Sequence, residues 1–423
     1  MSDLKGMNFL KRKLNTKQTR VRTRYRYYEM KNMMFDFGIS SPPDLKNWSS
    51  TLGWCAKAVD SLSDRLQFRE FDEDNFDINE IYQLNNPDVL FDGAILGALI
   101  SSCSFIYISQ DGNGYPRLQV IDGYNATGII DPFTNMLKEG YAVLTRDDNG
   151  LPIMEAYFVP GATYYYEHGK FIRRIDNKAP YALLVPVIYR PDSVRPFGHS
   201  RISRACMSIV GSALRTIKRS EISAEFYSYP QKYVTGLSED AEISDKWKVA
   251  MSSLITLTKD EDGDKPTFGQ FTQQSMQPHT DQLRMFASLF AGETGLTLDD
   301  LGFATENPSS AEAIKAAHEN LRLTARKSQR TFGTAFLNAG YLAACVRDNF
   351  PYERSVLYET VPKWEPIFEP DAAMLSSIGD GAIKVNQAIP NYFTKETLRD
   401  LTGIKSNGWW CITWTIRKDF WWV

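Results

Sequence analysis

The sequence predicts an α+β protein, and three observations carry the prediction. In NWSSTLGWCAKAVDSLSDRLQF the apolar residues Trp48, Leu52, Cys55, Val59, Leu62 and Leu66 fall at spacings of 4, 3, 4, 3 and 4, the stripe of an amphipathic helix. From about residue 103 to 190 the pattern changes to short β-rich runs separated by turn residues. Beyond Ser309 a second helical face, Ile314, Ala317, Leu321, Ala325, Ser328, Phe332, Ala335 and Ala339, runs on to about Val346. At 423 residues, 43% apolar and 23% charged, the chain has the material for two to four packed units.

Each element has its own local cause. Asn47, Ser49 and Ser50 are candidate caps for the first striped helix. VLFDGAILGALI follows Asn86-Pro87-Asp88, with proline placed for the first turn, and reads as a buried helix running into a strand. CSFIYIS before Asp111-Gly112-Asn113-Gly114, EGYAVLTR before Asp147-Asp148-Asn149-Gly150, and ATYYYEH before Gly169-Lys170 signal hairpins, together an antiparallel meander. After RPDSVRPFGHS a helix is expected from Arg201 to Tyr229, with Ile202, Ala205, Ile209, Ala213, Ile217 and Ile222 near one face and Pro230 ending it. Residues 231–277 read as a compact insert with a short helix and a hairpin, after which TDQLRMFASLFAG is helical again. Residues 349–406 hold several prolines and two short helices, the second capped by Thr394.

Charge and motifs exclude most chemistry. The 48 Lys and Arg nearly balance the 51 Asp and Glu, net −3, so nucleic-acid contact must be local or geometric. The five cysteines are far apart and form no CxxC, which argues against a disulfide framework or zinc knuckle and fits a reducing cytoplasm. The charged start lacks the apolar core of a signal peptide, and no stretch reaches the roughly 18 uninterrupted apolar residues of a membrane span. There is no GxxxxGK[ST], and GNG at 112–114 has neither a third glycine nor a following helix. His318-Glu319 lacks the second histidine of HExxH and reads as a helix-surface histidine; His168, His199 and His279 have no sequence-local partners. The acidic runs at 72–75 and 260–264 lack the central glycine and closing glutamate of a calcium loop and read as solvated turns. Asp299-Asp300 is a candidate metal or acid pair without a third ligand. No catalytic residue, metal or cofactor is expected.

Two basic features remain. Lys11 to Lys31 holds nine basic residues and one acid, Glu29, interleaved with Tyr25, Tyr27 and Tyr28. It reads as a nucleic-acid arm or, preferably, as a basic surface meeting acidic neighbours, because arginines at every second position give no single helical face. Farther on, Asn307-Pro308-Ser309-Ser310 stops the preceding segment, and Ser309 with Glu312 has capping-box spacing. In the helix that follows, Arg322, Arg326 and Arg330 form a basic stripe with Glu319 near its head; DNA, an acidic neighbouring subunit and solvent are all open as its partner. The loop from Gly302 to Pro308 is small or polar apart from Phe303, and reads as displayed.

In their order along the chain, Tyr27-Tyr28 before the helix with Trp54, Val59, Leu62, Arg65 and Leu66, the β-rich middle, PFGHSRIS leading into a long helix, the compact insert, and GLTLDDLGF followed by NPSSAEAI, the sequence resembles the portal proteins of long-tailed bacteriophages. The resemblance covers about Tyr25 to Ser406. It implies a portal-like α+β fold: a helical and β-rich wing over 1–195, a stem helix over 196–230, a small α/β clip over 231–277, a return stem helix over 278–298, a tunnel loop over 299–310, a long wing helix over 311–348 and a helical crown over 349–406. It also implies a homo-oligomeric ring of twelve subunits at one capsid vertex of the virion, assembled in the host cytoplasm. The ring would pass double-stranded DNA without sequence specificity and meet the terminase large subunit, a head-to-tail adaptor, and the major capsid and scaffolding proteins, with no membrane. Thr305, Glu306, Asn307, Pro308 and Ser309 would then face DNA in the tunnel loop.

The charge agrees, because an Arg-rich conduit wall would add a binding energy to be broken at every step. The pattern breaks at 407–423, where NGWWCITWTIRKDFWWV places five of the nine tryptophans in the last fifteen residues. A frameshift or truncation is preferred here to a β-edge or membrane-surface tail. Two other functions compete: an enzyme acting on nucleic acid or carbohydrate through the acidic loops, and another head adaptor or capsid-lining protein.

Overall fold

The computed structural model describes residues 4–32, 50–228, 232–235, 267–270, 275–303, 316–368, 370 and 372–403. They fall in two compact units: one draws on residues 1–22, 59–201 and those from 319 onward, the other on 23–58 and 202–318.

The first unit is closed by aromatic side chains from distant parts of the chain. Strand β1 (Phe68–Asp72) leads to helices α3 (Ile78–Gln83) and α4 (Pro87–Ser101), after the earlier helices α1 (Met7–Tyr28) and α2 (Trp54–Ser63). Phe68 and Phe91 have ring centroids 4.4 Å apart, and Phe91 lies 4.6 Å from Phe336 of the long C-terminal helix. Trp364 closes the cluster edge-on at 5.3 Å from Phe68. The Tyr82 hydroxyl donates to the Phe336 carbonyl at 2.7 Å, satisfying a polar tip inside this core. Asp74 is no mere solvated turn: its carboxylate accepts from the backbone N–H groups of Phe76, Ile78 and Asn79, covering open donors at the start of α3.

The proline-led helix is α4, with Pro87 in its first turn, and it runs into β2 (Cys103–Gln110) as expected. All three hairpins form: β2 with β3 (Pro116–Ile121), β5 (Leu137–Arg146) with β6 (Pro152–Val159), and β7 (Ala162–Glu167) with β8 (Lys170–Asp176). Asp111 and Asp147 set two of the turns, accepting from backbone N–H groups two to four residues on. The single meander is corrected to two sheets. β4 (Ala126–Ile130) through β8 are a five-stranded meander, but β9 (Leu184–Ile188) returns to flank β2, giving the order β3-β2-β9. β2 is thus buried on both faces over its first six residues, while the edge strand β8 is exposed almost throughout. The PFGHSRIS segment is structural. Gly198 sits at φ +71° where an added Cβ would lie 2.1 Å from the Tyr189 carbonyl oxygen, and Ser200 donates to the Ile100 carbonyl at 2.6 Å. His199 does have a local partner, the Asp192 carboxylate at 2.6 Å.

The basic N-terminal segment is one helix, α1, laid on the five-stranded sheet. Leu10 and Leu14 are buried with Tyr141 and Val143. At its N-terminus the buried Glu139 accepts from the Lys5 and Gly6 N–H groups at 2.7 and 3.0 Å, where a carboxylate also complements the helix dipole. Glu155, 3% exposed, takes the Lys11 ammonium at 2.8 Å and the Tyr141 hydroxyl. Lys13 donates to the Gly128 carbonyl at 2.7 Å, and Lys17 lies 5.4 and 5.6 Å from the Phe105 and Phe197 rings. The expectation of acidic neighbours holds at Lys11. The lysines are the inward basic residues: Lys11, Lys13 and Lys17 are half-buried, while Arg12 and Arg20 stay exposed.

Elsewhere local detail shifts. Helix α2 begins at Trp54, so Ser50 is not its cap, and Trp48, Asn47 and Ser49 lie outside the described residues; Cys55, Val59, Leu62 and Leu66 are buried as the stripe predicts. In the second unit α5 (Arg204–Ser228) buries Cys206, Val210, Ala213, Leu214 and Ile222; Ile202, Ala213 and Ile222 are buried as the stripe predicts, while Ala205 is exposed and Ile209 half-buried, so the inner face is offset near the start of the helix, at Cys206 and Val210. Pro230 lies outside the described residues. Of the insert, β10 (Lys232–Thr235) pairs antiparallel with β11 (Thr267–Gln270); the expected short helix and the rest of the hairpin expected within 255–271 lie outside the described residues. Helix α6 (Gln277–Thr294) packs antiparallel to α5 through a polar ladder: Ser203 to Glu293 at 2.8 Å, Thr216 to Gln282 at 2.9 Å, Ser223 to His279 at 3.4 Å.

The first unit is completed by α7 (Glu319–Arg347), β12 (Val361–Trp364), α8 (Ala372–Ala388) and α9 (Lys395–Thr402). β12 pairs with β1, and Thr394 caps α9 by accepting from the Thr397 N–H, as predicted. Ion pairs tie α9 to that two-stranded sheet: Asp400 to Arg69 at 2.5 Å and to Lys363 at 2.6 Å, and Arg399 to Glu70 at 3.0 Å.

Two outcomes follow from the α1 anchor. Glu155→Ala leaves a half-buried ammonium and a buried hydroxyl without their acceptor, so it should cost about 3 kcal/mol and speed hydrogen exchange of the α1 amides. Burial, then the neighbouring Lys17, lowers Lys13 from 10.5 to about 8. Below pH 8 the folded chain carries the cost of that buried charge; from pH 8 to 10.5 only the unfolded chain keeps the proton, so stability should rise with pH. Denaturant titrations of Lys13→Met against the parent at pH 7.5 and 10 should show the parent's gain reduced in the variant.

Candidate functional site

The residues on either side of the expected tunnel loop are the candidate site, and each side is built locally. On the first side, α6 stops at Gly295, whose φ of +70° lets its N–H return to the Ala291 carbonyl at 2.8 Å. Thr297 and Asp300 then lock together. The Asp300 carboxylate accepts from the Thr297 N–H at 2.9 Å and its hydroxyl at 3.0 Å, holding a short 3-10 turn over Asp299–Leu301. Gly302 at φ +87° and the Phe303 N–H on the Leu298 carbonyl at 3.0 Å finish the turn. Phe303 is half-buried, with its ring 6.5 Å from Trp54, which also packs at 5.6 Å on Phe290. Phe303, the one large apolar residue of the loop read as displayed, is therefore held against an aromatic side chain.

This geometry gives Asp300 a structural role in the turn. No cluster of three or more His, Cys, Asp or Glu able to hold a metal occurs among the described residues. The described cysteines offer no nucleophile: all four are buried, and burial pushes the Cys55 thiol up and Cys345 to about 11. No described helix is long and apolar enough to cross a membrane.

On the other side, Thr305, Glu306, Asn307, Pro308 and Ser309, the Ser309–Glu312 capping box and Ile314 lie outside the described residues. His318 is in a turn, half-buried with its Nδ1 3.9 Å from Asp300, so the helix-surface account of it is corrected; α7 starts at Glu319. Leu321, Ala325, Ser328, Phe332, Ala335 and Ala339 are all buried, as the small-residue face predicts, whereas Ala317 is exposed. Close approach is real along this helix. A Cβ on Gly340 would meet Ile78 at 2.3 Å, and one on Gly333 would meet Pro362 at 2.7 Å.

The basic stripe divides. Glu319 binds Arg322 with two hydrogen bonds of 2.6 Å, and the guanidinium holds the Glu319 carboxyl below its ordinary range. Arg326 and Arg330 remain exposed. The stripe thus presents two free-standing charges rather than three, a poor clamp for a polyanion. What sequence reasoning missed is the pair of buried glutamates under α1. Glu139 lies between Lys138 and Gly140 and Glu155 between Met154 and Ala156, and these neighbours carry no mark of a buried charge.

Known proteins similar to this chain include two phage portal proteins. The portal protein of Mycobacterium phage L5 is 25% identical over 342 residues, 75% of this chain and 69% of that protein. The portal protein of Mycobacterium phage D29 is 26% identical over 349 residues, 76% and 70% of the two. Among solved structures, a chain from the neck of a native gene transfer agent particle, computed with C12 symmetry, is similar at a TM-score of 0.49 and 13% identity, covering 87% of this chain and 95% of that one. A chain from the virion of the native particle gives a TM-score of 0.48 and 12% identity, covering 91% and 99%. The family described as phage portal protein, SPP1 Gp6-like, matches residues 8–353, and the chain belongs to that family of phage portal proteins.

Proposed function

We propose that this portal protein is one subunit of a closed ring of twelve at a capsid vertex of the virion, and that double-stranded DNA enters and leaves through its centre without sequence recognition. The observation that supports the reading best is the α5–α6 pair running into a turn fixed as far as Phe303. Two paired helices with a pinned exit are a stiff support for the short polar sequence that follows, and a polar loop without catalytic groups suits a wall that must neither grip nor cut DNA. In this reading α5 and α6 are the stem, 231–277 the clip that meets the terminase large subunit and later a head-to-tail adaptor, and 349–406 the crown. Residues 1–195 with the long helix α7 form the wing beside the major capsid and scaffolding proteins. Thr305 to Ser309 face the channel, and Arg326 and Arg330 point to a neighbouring subunit or to DNA. Assembly takes place in the host cytoplasm. Portal proteins are structural, so the enzyme reading is set aside.

Negative-stain images of the purified protein should show rings with an open centre. Monomers at every concentration and ionic strength would sink the proposal, and discs without a channel would favour an adaptor or capsid-lining role. Deleting Thr305–Pro308 should leave rings assembled while DNA packaging or retention drops to well under half of the parent level. Loss of rings instead would make the junction an assembly element.

A further inference from the structure

Two surfaces of this chain, equal in length and opposite in sign, have no counterpart in the roles assigned so far. Residues 7–28 hold eight basic and no acidic residues, and residues 72–93 hold seven acidic and no basic ones. Within the chain Lys11, Lys13 and Lys17 are taken up by Glu155, the Gly128 carbonyl and the rings of Phe105 and Phe197. The outward stripe Phe9, Arg12, Thr16 and Arg20, at spacings of 3, 4 and 4, stays exposed.

The acidic segment is likewise open. Asp72, Glu73, Asp77, Glu80, Asp88 and Asp92 are exposed, with two apolar side chains among them, Leu84 at 51% and Val89 at 76% exposure. Asp72 and Asp77 reach Lys363 at 3.2 Å and Arg347 at 4.0 Å, but Glu73, Glu80, Asp88 and Asp92 make no ion pair among the described residues. Burial, then the Asp88 and Asp64 carboxylates, raises Asp92 above its ordinary range.

The two faces rest on different supports. The first half of α1 lies on the five-stranded sheet, whereas 72–93 packs through Ile78, Tyr82 and Phe91 against α7. A contact between them across copies is therefore heterologous, the type that closes a ring. A nucleic-acid duplex would engage only the basic face and leave the acidic one unexplained; a second copy of this chain engages both.

We propose that the Phe9–Arg20 face of one subunit docks on the Asp72–Asp92 face of the next, arginines over carboxylates and Phe9 beside Leu84 or Val89. The proposal rests on the ring reading above and names surfaces that hold the ring together.

Charge reversal tests it. Arg12→Glu with Arg20→Glu, and separately Glu80→Lys with Asp88→Lys, should each raise the concentration for half-assembly about tenfold or more, read by sedimentation, with circular dichroism confirming folded subunits. The chain carrying all four substitutions should regain rings, because the charges then face each other with signs exchanged. Rings undiminished by either reversal overturn this contact and leave the ring reading intact, as does failure of the fourfold variant to recover. Wild-type chains that never assemble overturn both. If Arg12→Glu with Arg20→Glu keeps rings but loses retention of a duplex DNA fragment on a filter, the face serves nucleic acid and the contact is wrong.

Discussion

The fold depends on one closure: the packing of Phe68, Phe91, Phe336 and Trp364 into a single cluster. These rings come from segments nearly 300 residues apart in the chain, so ordering them carries the entropy of closing a very long loop. That cost grows only slowly with length, and burying four large aromatic side chains offsets it. In the second unit, which draws on residues 23–58 and 202–318, helices α5 and α6 add the Ser203–Glu293 and Thr216–Gln282 contacts to buried apolar residues such as Val210 and Phe290.

How much of this was legible depends on how local each cause is. Proline before α4, aspartates at the hairpin turns and Thr394 before α9 act within a few residues, and each was readable. The face of α7 was readable because a long helix repeats its period often enough to fix phase. The offset in α5 has the opposite cause: Ala205 and Cys206 are both small and apolar, and adjacent residues of that kind leave the phase open. The partner of β2 could not be found locally, because β9 lies some 80 residues away and a strand buried on both faces gives no alternation to register against. The inward lysines of α1 were hidden for a similar reason. Their acceptors, Glu155 and the Gly128 carbonyl, belong to strands more than 100 residues on.

At the candidate site Asp300, Gly302 and Phe303, read as half of an acid pair and the start of a displayed loop, form a closed turn. The same change of view applies to the buried thiols and the Glu319–Arg322 pair. Reactive residue types are present throughout this chain and are spent on structure, which is what a portal subunit requires.

The exposed edge strand β8 bears on the life of the subunit before assembly. A bare edge offers unpaired backbone donors and acceptors to any other strand, and β8 also exposes Phe171 and Ile172. Yet Lys170, Arg173 and Arg174 lie along the same seven residues, with Arg173 drawn over the Tyr165 ring and Arg174 over Tyr164. Two such edges brought side by side would face each other with like charge. Asp176 pairs with Arg174 at 2.6 Å, so Lys170 and Arg173 carry the strand's excess positive charge, which opposes its pairing with a copy of itself.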